Sequence, residues 1–88
     1  MSNVTVTLSK AIMVEGVEVQ ELTLREPTVK DLLAQDRIVG DTAQMVALIG
    51  ALADIPDSSV KQIVARDFVK LTKVVGDFLD DGQATGGN

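Results

Sequence analysis

The side chains best suited to acid–base chemistry in this sequence are its carboxylates, because Asp and Glu together number 13 and there is no His or Cys. Two carboxylates can act as a general acid and base, and a cluster of them can bind a divalent cation. Most of them, however, stand where a carboxylate has a structural role. Four of them fall at the expected starts of helices, where an acidic side chain caps free amide groups: Asp31, Asp41, Asp57 and Asp67. The acids of the N-terminal region alternate with apolar residues and are expected to be solvated.

Two further clusters could bind a ligand. Asp77, Asp80 and Asp81 could recruit a divalent cation, but they lack the Gly turn and the alternating ligands of a calcium loop. Ser58 follows Asp57 at an expected helix start, as does the serine that carries the prosthetic group of acyl carrier proteins. Those proteins usually have Leu after that Ser, where this chain has Ser59, and they are all-helical. We therefore predict no catalytic, cofactor-binding or metal-binding residue, with an acyl-carrier-like protein as the least favoured alternative.

Composition narrows the class of protein further. The 88 residues make one small domain with a net charge of -5 and a pI of about 4.4. This acidity argues against binding nucleic acid or an anionic membrane, and there is no Trp or Tyr to stack on bases. The sequence shows neither a signal peptide nor a run of about 18 apolar residues, so a cytoplasmic setting is expected. Hydrophobic residues nevertheless make up 45% of the chain, and some of this surface could meet a partner.

The elements begin with a β-hairpin over residues 3–25. Apolar residues share the even positions from Val4 to Val14, and Val17 and Val19 open a second strand. Glu15-Gly16 between them suits a two-residue turn, in which Gly tolerates a positive φ.

The later part of the second strand is out of phase with its beginning. Leu22 and Leu24 fall on even positions, opposite in phase to the valines that open the strand. We therefore predict a β-bulge near Ser9-Lys10 or Gln20-Glu21. The alternative is a longer turn with Gly16 as its left-handed residue, which would place Leu8 opposite Leu22 without a bulge.

The change from strand to helix occurs within Leu22–Leu33. Pro27 cannot donate to a sheet and ends the strand, and Thr28 with Asp31 resembles a capping box for the helix that follows. Periodicity predicts helices over about 28–39, 42–53, 58–64 and 66–80, followed by a disordered, flexible tail over 81–88.

Four residues refine this helical region. Asp41 is expected to cap the second helix with Gln44 as its capping-box partner, and Asp67 to cap the last one. A single continuous helix over 58–80 is the alternative to two helices. Gly50 weakens the second helix, so its presence suggests the close approach of another backbone. The predicted fold class is thus α+β, a hairpin followed by a small bundle of three to four helices.

Two apolar stripes on the second and last helices could form an interaction surface. Both stripes are expected to contribute to the core, yet together with the hairpin they could exceed what so small a domain can bury. An apolar groove between the helices could then hold a partner helix. The predicted partner-binding residues are Met45, Leu48, Ile49, Leu52, Phe68, Leu71, Val75 and Phe78.

The order of these features resembles the tail assembly chaperones of Mu-like and related contractile-tailed bacteriophages. The resemblance covers about Val4 to Leu79 and is most specific at Leu22 to Pro27, a Leu-Thr-Leu-Arg-Glu-Pro segment that is followed by Asp31. The sequence departs from the pattern at Ala11, where many relatives have Pro, and at Phe68, where they often have Tyr.

The resemblance implies a non-enzymatic role in the host cytoplasm. Such chaperones bind the tape measure protein and keep it soluble before the tail tube polymerises, and they are not expected in the mature virion. The family also implies a frameshift-extended form of the same chain as a partner, and the sequence leaves self-association open. A small structural or connector protein of the virion is the alternative.

Overall fold

The fold consists of a two-stranded antiparallel sheet followed by helices. The computed structural model describes the backbone of residues 3–86 and the side-chain surroundings of residues 3–80. Within these residues the elements are β1 (Val4–Val14), β2 (Val17–Leu24), α1 (Val29–Gln35), α2 (Asp41–Ala53), α3 (Asp57–Val60) and α4 (Ala65–Gly86). The predicted class, a hairpin followed by a small helical bundle, is confirmed. The region 58–80 contains two helices, as predicted, and the alternative of one continuous helix is wrong. No helix among the described residues is long and apolar enough to cross a membrane.

The hairpin contains both the predicted two-residue turn and the predicted β-bulge. Glu15 and Gly16 have φ values of 51° and 83°, and Val14 pairs with Val17, so the turn has two residues. The register then shifts between Thr7 and Ile12: Thr7 pairs with Glu21, whereas Ile12 pairs with Val19. The extra residues lie in β1, which confirms the Ser9-Lys10 position for the bulge.

The longer-turn alternative is wrong, because Val6 rather than Leu8 lies opposite Leu22. With this register, Val6, Leu8, Leu22 and Leu24 are all buried on the face of the sheet that meets the helices.

Side chains from α3, α4 and the turn between them close the outer edge of β1. Lys70 Nζ donates to the Thr7 carbonyl at 2.9 Å, and the Ser59 hydroxyl donates to the Met13 carbonyl at 2.9 Å. Gln62 bonds both backbone groups of Met13, accepting from its N–H at 2.8 Å. A bare strand edge is a template for pairing with another chain, so these bonds protect β1 without a third strand.

The helix boundaries differ from the predicted ones where local packing decides them. α1 ends at Gln35 rather than near 39: the Asp36 N–H is shared between the Leu32 and Leu33 carbonyls, and the Ile38 N–H then makes a tighter turn onto the Gln35 carbonyl. The residues that follow bury little, and Val39 is 94% exposed, so packing does not support further helix there.

The predicted caps of α2 and α4 are not caps. Gly40, with φ 104°, is the N-cap of α2, so Asp41 lies inside the helix, and the Gln44 side chain donates instead to the Ile38 carbonyl at 2.8 Å. α3 is only four residues long, and α4 begins at Ala65, which makes Asp67 its third residue.

The end of α4 overlaps the predicted tail. The helix runs to Gly86, whereas the sequence placed its end near residue 80 and a tail over 81–88. The last two residues of that tail lie outside the described part of the chain.

The core joins the sheet face to one side of the helices. Its buried apolar residues are Val6, Leu8, Ile12, Leu22, Leu24, Leu48, Ile49, Leu52, Val60, Ile63, Leu71 and Val75. α2 and α3 pack closely at Gly50, where an added Cβ would lie 3.0 Å from the Ile55 carbonyl oxygen. The predicted approach of a second backbone at Gly50 is therefore confirmed.

The junction between β2 and α1 is held by charged hydrogen bonds. The Arg25 guanidinium makes a two-pronged ion pair with Asp31, at 2.8 and 2.9 Å. Asp31 Oδ2 also accepts the Thr28 N–H at 2.8 Å, which is the predicted carboxylate half of the capping box. The Arg25 N–H donates to the Leu52 carbonyl at 3.1 Å, so the end of β2 is attached to the end of α2.

Loss of this junction carboxylate should destabilise the fold modestly. Hydrogen bonds from Arg25 and Thr28 hold the pKa of Asp31 well below its usual range. Because Arg25 is 45% exposed and solvent screens the pair, we expect Asp31→Asn to cost about 1 kcal/mol at pH 7. Urea unfolding measures this cost, and Asp36→Asn, an exposed acid at the other end of α1, is the control.

The same cost should depend on pH. Because the folded pKa is lowered, the stabilisation is complete above the unfolded pKa of about 3.9 and is lost as the pH falls through the folded value. The difference between wild type and Asp31→Asn should therefore shrink below pH 4. A difference that persists unchanged to pH 2 would contradict the ion-pair explanation.

Candidate partner-binding surface

The predicted partner-binding residues divide between the core and its edge. Five of them are at most 2% exposed and cannot contact a partner in this conformation: Leu48, Ile49, Leu52, Leu71 and Val75. Met45, Phe68 and Phe78 are only partly buried and pack against the outside of that core. Among the predicted residues, these three have surface that a partner could reach.

Phe68 lies in a groove between the first half of α2, α3 and the first turn of α4. Val60 and Ile63 are buried at its base, and Val46 and Phe68 contribute partly buried walls. The volume of the groove is about 230 Å³. Thr42, Lys61 and Ala65 complete its lining and are exposed. The groove is therefore mostly apolar, with a rim that water reaches.

Local contacts fix the elements on both sides of this groove. Gly50 allows α3 to lie against α2, and Ile55 N–H donates to the Gly50 carbonyl at 2.9 Å to turn the chain. Asp54 takes a left-handed conformation at this helix end, with φ 60°. The N–H groups of Asp67 and Phe68 both donate to the Val64 carbonyl at 3.0 Å, which starts α4 in a defined direction.

α1 carries a second exposed apolar surface that the sequence reasoning did not assign to a partner. The helix has no buried residue, and Val29 and Leu33 are 70% and 61% exposed. A depression of about 390 Å³ on this helix is lined by Lys30, Leu33, Ala34 and Arg37. Val29 and Leu33 are four residues apart in the sequence, and this spacing alone did not distinguish a buried face from an exposed one.

The most unusual ionisable group is Asp67, which is fully buried. Its Oδ2 accepts the Ser9 N–H at 2.9 Å, the Ser9 hydroxyl at 3.0 Å and the Lys10 N–H at 3.4 Å. Burial raises the pKa of this carboxyl. The hydrogen bonds from Ser9 and Lys10 and the charge of Lys70 together lower it by more than burial raises it, so the net shift of the pKa is downward. Asp67 thus holds the β1 bulge against α4 as an ionised carboxylate.

The remaining carboxylates do not gather into a metal centre. In the part of the chain that the structure describes, no group of three or more Asp or Glu side chains is placed to share a metal ion. Asp77 and Asp80 lie on an exposed part of α4. The chemistry that this surface offers is apolar contact with a polar rim.

Comparison with known proteins identifies the family. No curated protein and no solved structure matches the chain. A family model described as phage tail assembly chaperone proteins, E, or 41 or 14, matches residues 5–80, from the first strand to Asp80 in α4. The match includes the hairpin, the Arg25–Asp31 junction and the groove. The chain belongs to the phage tail assembly chaperone family.

Proposed function

We propose that this chaperone binds the tape measure protein in the host cytoplasm and keeps it soluble until the tail tube polymerises around it. The role is non-enzymatic, and the chaperone is released before the virion is complete. The groove between α2, α3 and α4 is the binding site, and an amphipathic helix of the partner lies in it. The observation that carries this proposal is the partly buried pair Val46 and Phe68 above the apolar base formed by Val60 and Ile63.

The physical argument combines apolar attraction with a soluble exterior. A helix that places apolar side chains in the groove removes them from water and gains roughly 25 cal/mol for each Å² buried. The chaperone has a net charge of -5, so a complex with an aggregation-prone helix would remain charged. The core residues Leu71 and Val75 are fully buried and need not move.

Blocking the rim of the groove tests this site. Ala65 is exposed at the start of α4, so Ala65→Arg should leave the fold intact while its long charged side chain fills the groove. On co-expression with the tape measure protein, we expect recovery of that protein in the soluble fraction to fall at least tenfold. A pull-down on the chaperone should show the same loss.

Ala34→Arg is the matched control, because Ala34 is an exposed alanine on α1 outside the groove. It should retain full recovery of the tape measure protein. The opposite pattern, loss with Ala34→Arg alone, would move the site to α1. If the unmodified chaperone neither binds the tape measure protein nor increases its solubility, the proposed function is wrong. Abundant chaperone peptides in purified virions would favour a structural role instead.

A further inference from the structure

The outward side of α4 carries a stripe that is separate from the groove. Val69 and Leu79 are 66% and 48% exposed, and Thr72 and Gly76 lie between them. These four positions follow one another at intervals of three, four and three residues, which is the spacing of the contact seam between paired helices. We call Val69, Thr72, Gly76 and Leu79 the outer stripe. The adjoining side of the helix contributes Leu71 and Val75 to the core.

Gly76 leaves room along this stripe for another backbone. An added Cβ at Gly76 would meet no atom within 4 Å, in contrast to Gly50, where the neighbours are already in place. A Gly in a helix interior costs about 1 kcal/mol relative to Ala. Within the described part of the chain, no neighbouring atom at Gly76 requires a residue without a side chain.

The charges beside the stripe are segregated along the helix. Lys73 is an exposed cation beside the stripe, and the exposed anions Asp77 and Asp80 follow it. Arg66 and Lys70 bond Ser9 and Thr7 of β1 instead. Cations near a helix N-terminus and anions towards its C-terminus are both unfavourable with the helix dipole. A second helix in the antiparallel orientation would place its anions beside Lys73 and its own Lys73 beside Asp77 and Asp80.

We infer that the outer stripe binds the outer stripe of a second copy of this chain, in an antiparallel pair related by a twofold axis. In this arrangement Val69 of each copy lies opposite Leu79 of the other, and Thr72 lies opposite Gly76. Lys73 then lies on the same side of the seam as Asp77 and Asp80 of the second copy. A surface that is complementary to itself in this way gives a closed dimer.

Sedimentation over a range of concentrations tests for the dimer. The purified chain should change from monomer to dimer as its concentration rises. Val69→Lys should weaken the dimer at least tenfold in Kd, because it places two cations in the seam. The matched control is Val39→Lys, which alters a 94% exposed valine away from α4 and should leave the dimer intact. Gly76→Glu should also abolish the dimer without affecting the monomer, since its side chain meets open space.

Cross-linking distinguishes the antiparallel orientation, because the chain has no Cys of its own. In an antiparallel pair the two copies of residue 69 lie about 15 Å apart along the axis, beyond the reach of a disulfide. A sample of the Val69→Cys variant by itself should therefore remain unlinked, and so should a sample of the Leu79→Cys variant. A mixture of the two variants should form a disulfide-linked dimer.

Four results would overturn the inference. These are a monomer at every concentration, a dimer that Val69→Lys leaves unchanged, equal weakening by Val39→Lys, and self-linking of Val69→Cys. If Val69→Lys abolishes recovery of the tape measure protein from a chaperone that remains monomeric, the stripe binds that partner and not a second copy. Loss of binding by Ala65→Arg with an intact dimer would show that the groove and the stripe act separately.

Discussion

Replacing Asp67 by Ala is expected to lower the melting temperature on the order of 10 °C. The substitution leaves the N–H groups of Ser9 and Lys10 without their acceptor, and it removes the group that fixes the bulge of β1 onto α4. Thermal unfolding followed by circular dichroism measures the change. Asp77→Ala is the control, because Asp77 is an exposed acid of the same helix and its removal should shift the melting temperature little. Equal effects of the two substitutions would show that the bulge does not depend on Asp67.

The pH dependence of Asp67 provides a separate test. Its folded pKa is lowered, because the bonds from Ser9 and Lys10 outweigh the effect of burial. The stabilisation is therefore complete above the unfolded pKa of about 3.9 and disappears as the pH falls through the lower folded value. Asp67→Asn should be less stable than wild type at pH 7, and the two should converge below pH 4. A gap that widens on acidification would contradict an ionised Asp67 in the folded state.

Gly50→Leu should destabilise the protein by about 3 kcal/mol or more, with a loss of soluble protein on expression. Even a Cβ at this position would lie 3.0 Å from the Ile55 carbonyl oxygen and 3.4 Å from Val60 Cγ2. Because one neighbour is backbone, the α2–α3 connection would have to move. Urea unfolding of the variant against wild type measures the loss.

Gly76→Ala is the matched helix-interior control. No atom lies within 4 Å of a Cβ there, so the substitution should stabilise the monomer by about 1 kcal/mol through helix propensity alone. The pair of glycines should thus respond with opposite signs. A gain at both positions would show that α2 and α3 are not closely packed at Gly50.

Local rules predicted the parts of the fold that depend on neighbours in sequence. The Glu15-Gly16 turn followed from turn chemistry, and the start of α1 followed from Pro27, Thr28 and Asp31. The existence of a bulge followed from the phase of Leu22 and Leu24. Its position in β1 could not be selected from sequence, because the carboxylate that holds it belongs to Asp67, 58 residues away from Ser9.

The candidate site was less predictable for a related reason. Helical periodicity identified apolar positions on α2 and α4, but Leu71 and Phe68 share that pattern, and only packing shows that one is buried and the other half-exposed. The same limit applied to Asp67, which was expected to act as a cap because acids at helix starts usually do. A carboxylate that bonds a distant strand gives no local signal.

The edge of β1 is bonded by residues from α3 to α4, so it can be covered only after those residues have been synthesised. Ribosomes deliver β1 first, and the residues that bond its edge, Ser59, Gln62, Asp67 and Lys70, follow much later in the chain. The hairpin and the α2–α3 pair can form early from contacts that are short in sequence, whereas docking of α4 must close a long loop. During synthesis the strand edge of β1 therefore remains open until α4 emerges. A nascent chain stalled before residue 67 would expose this edge, and it is at that stage that the chaperone itself is most prone to aggregate.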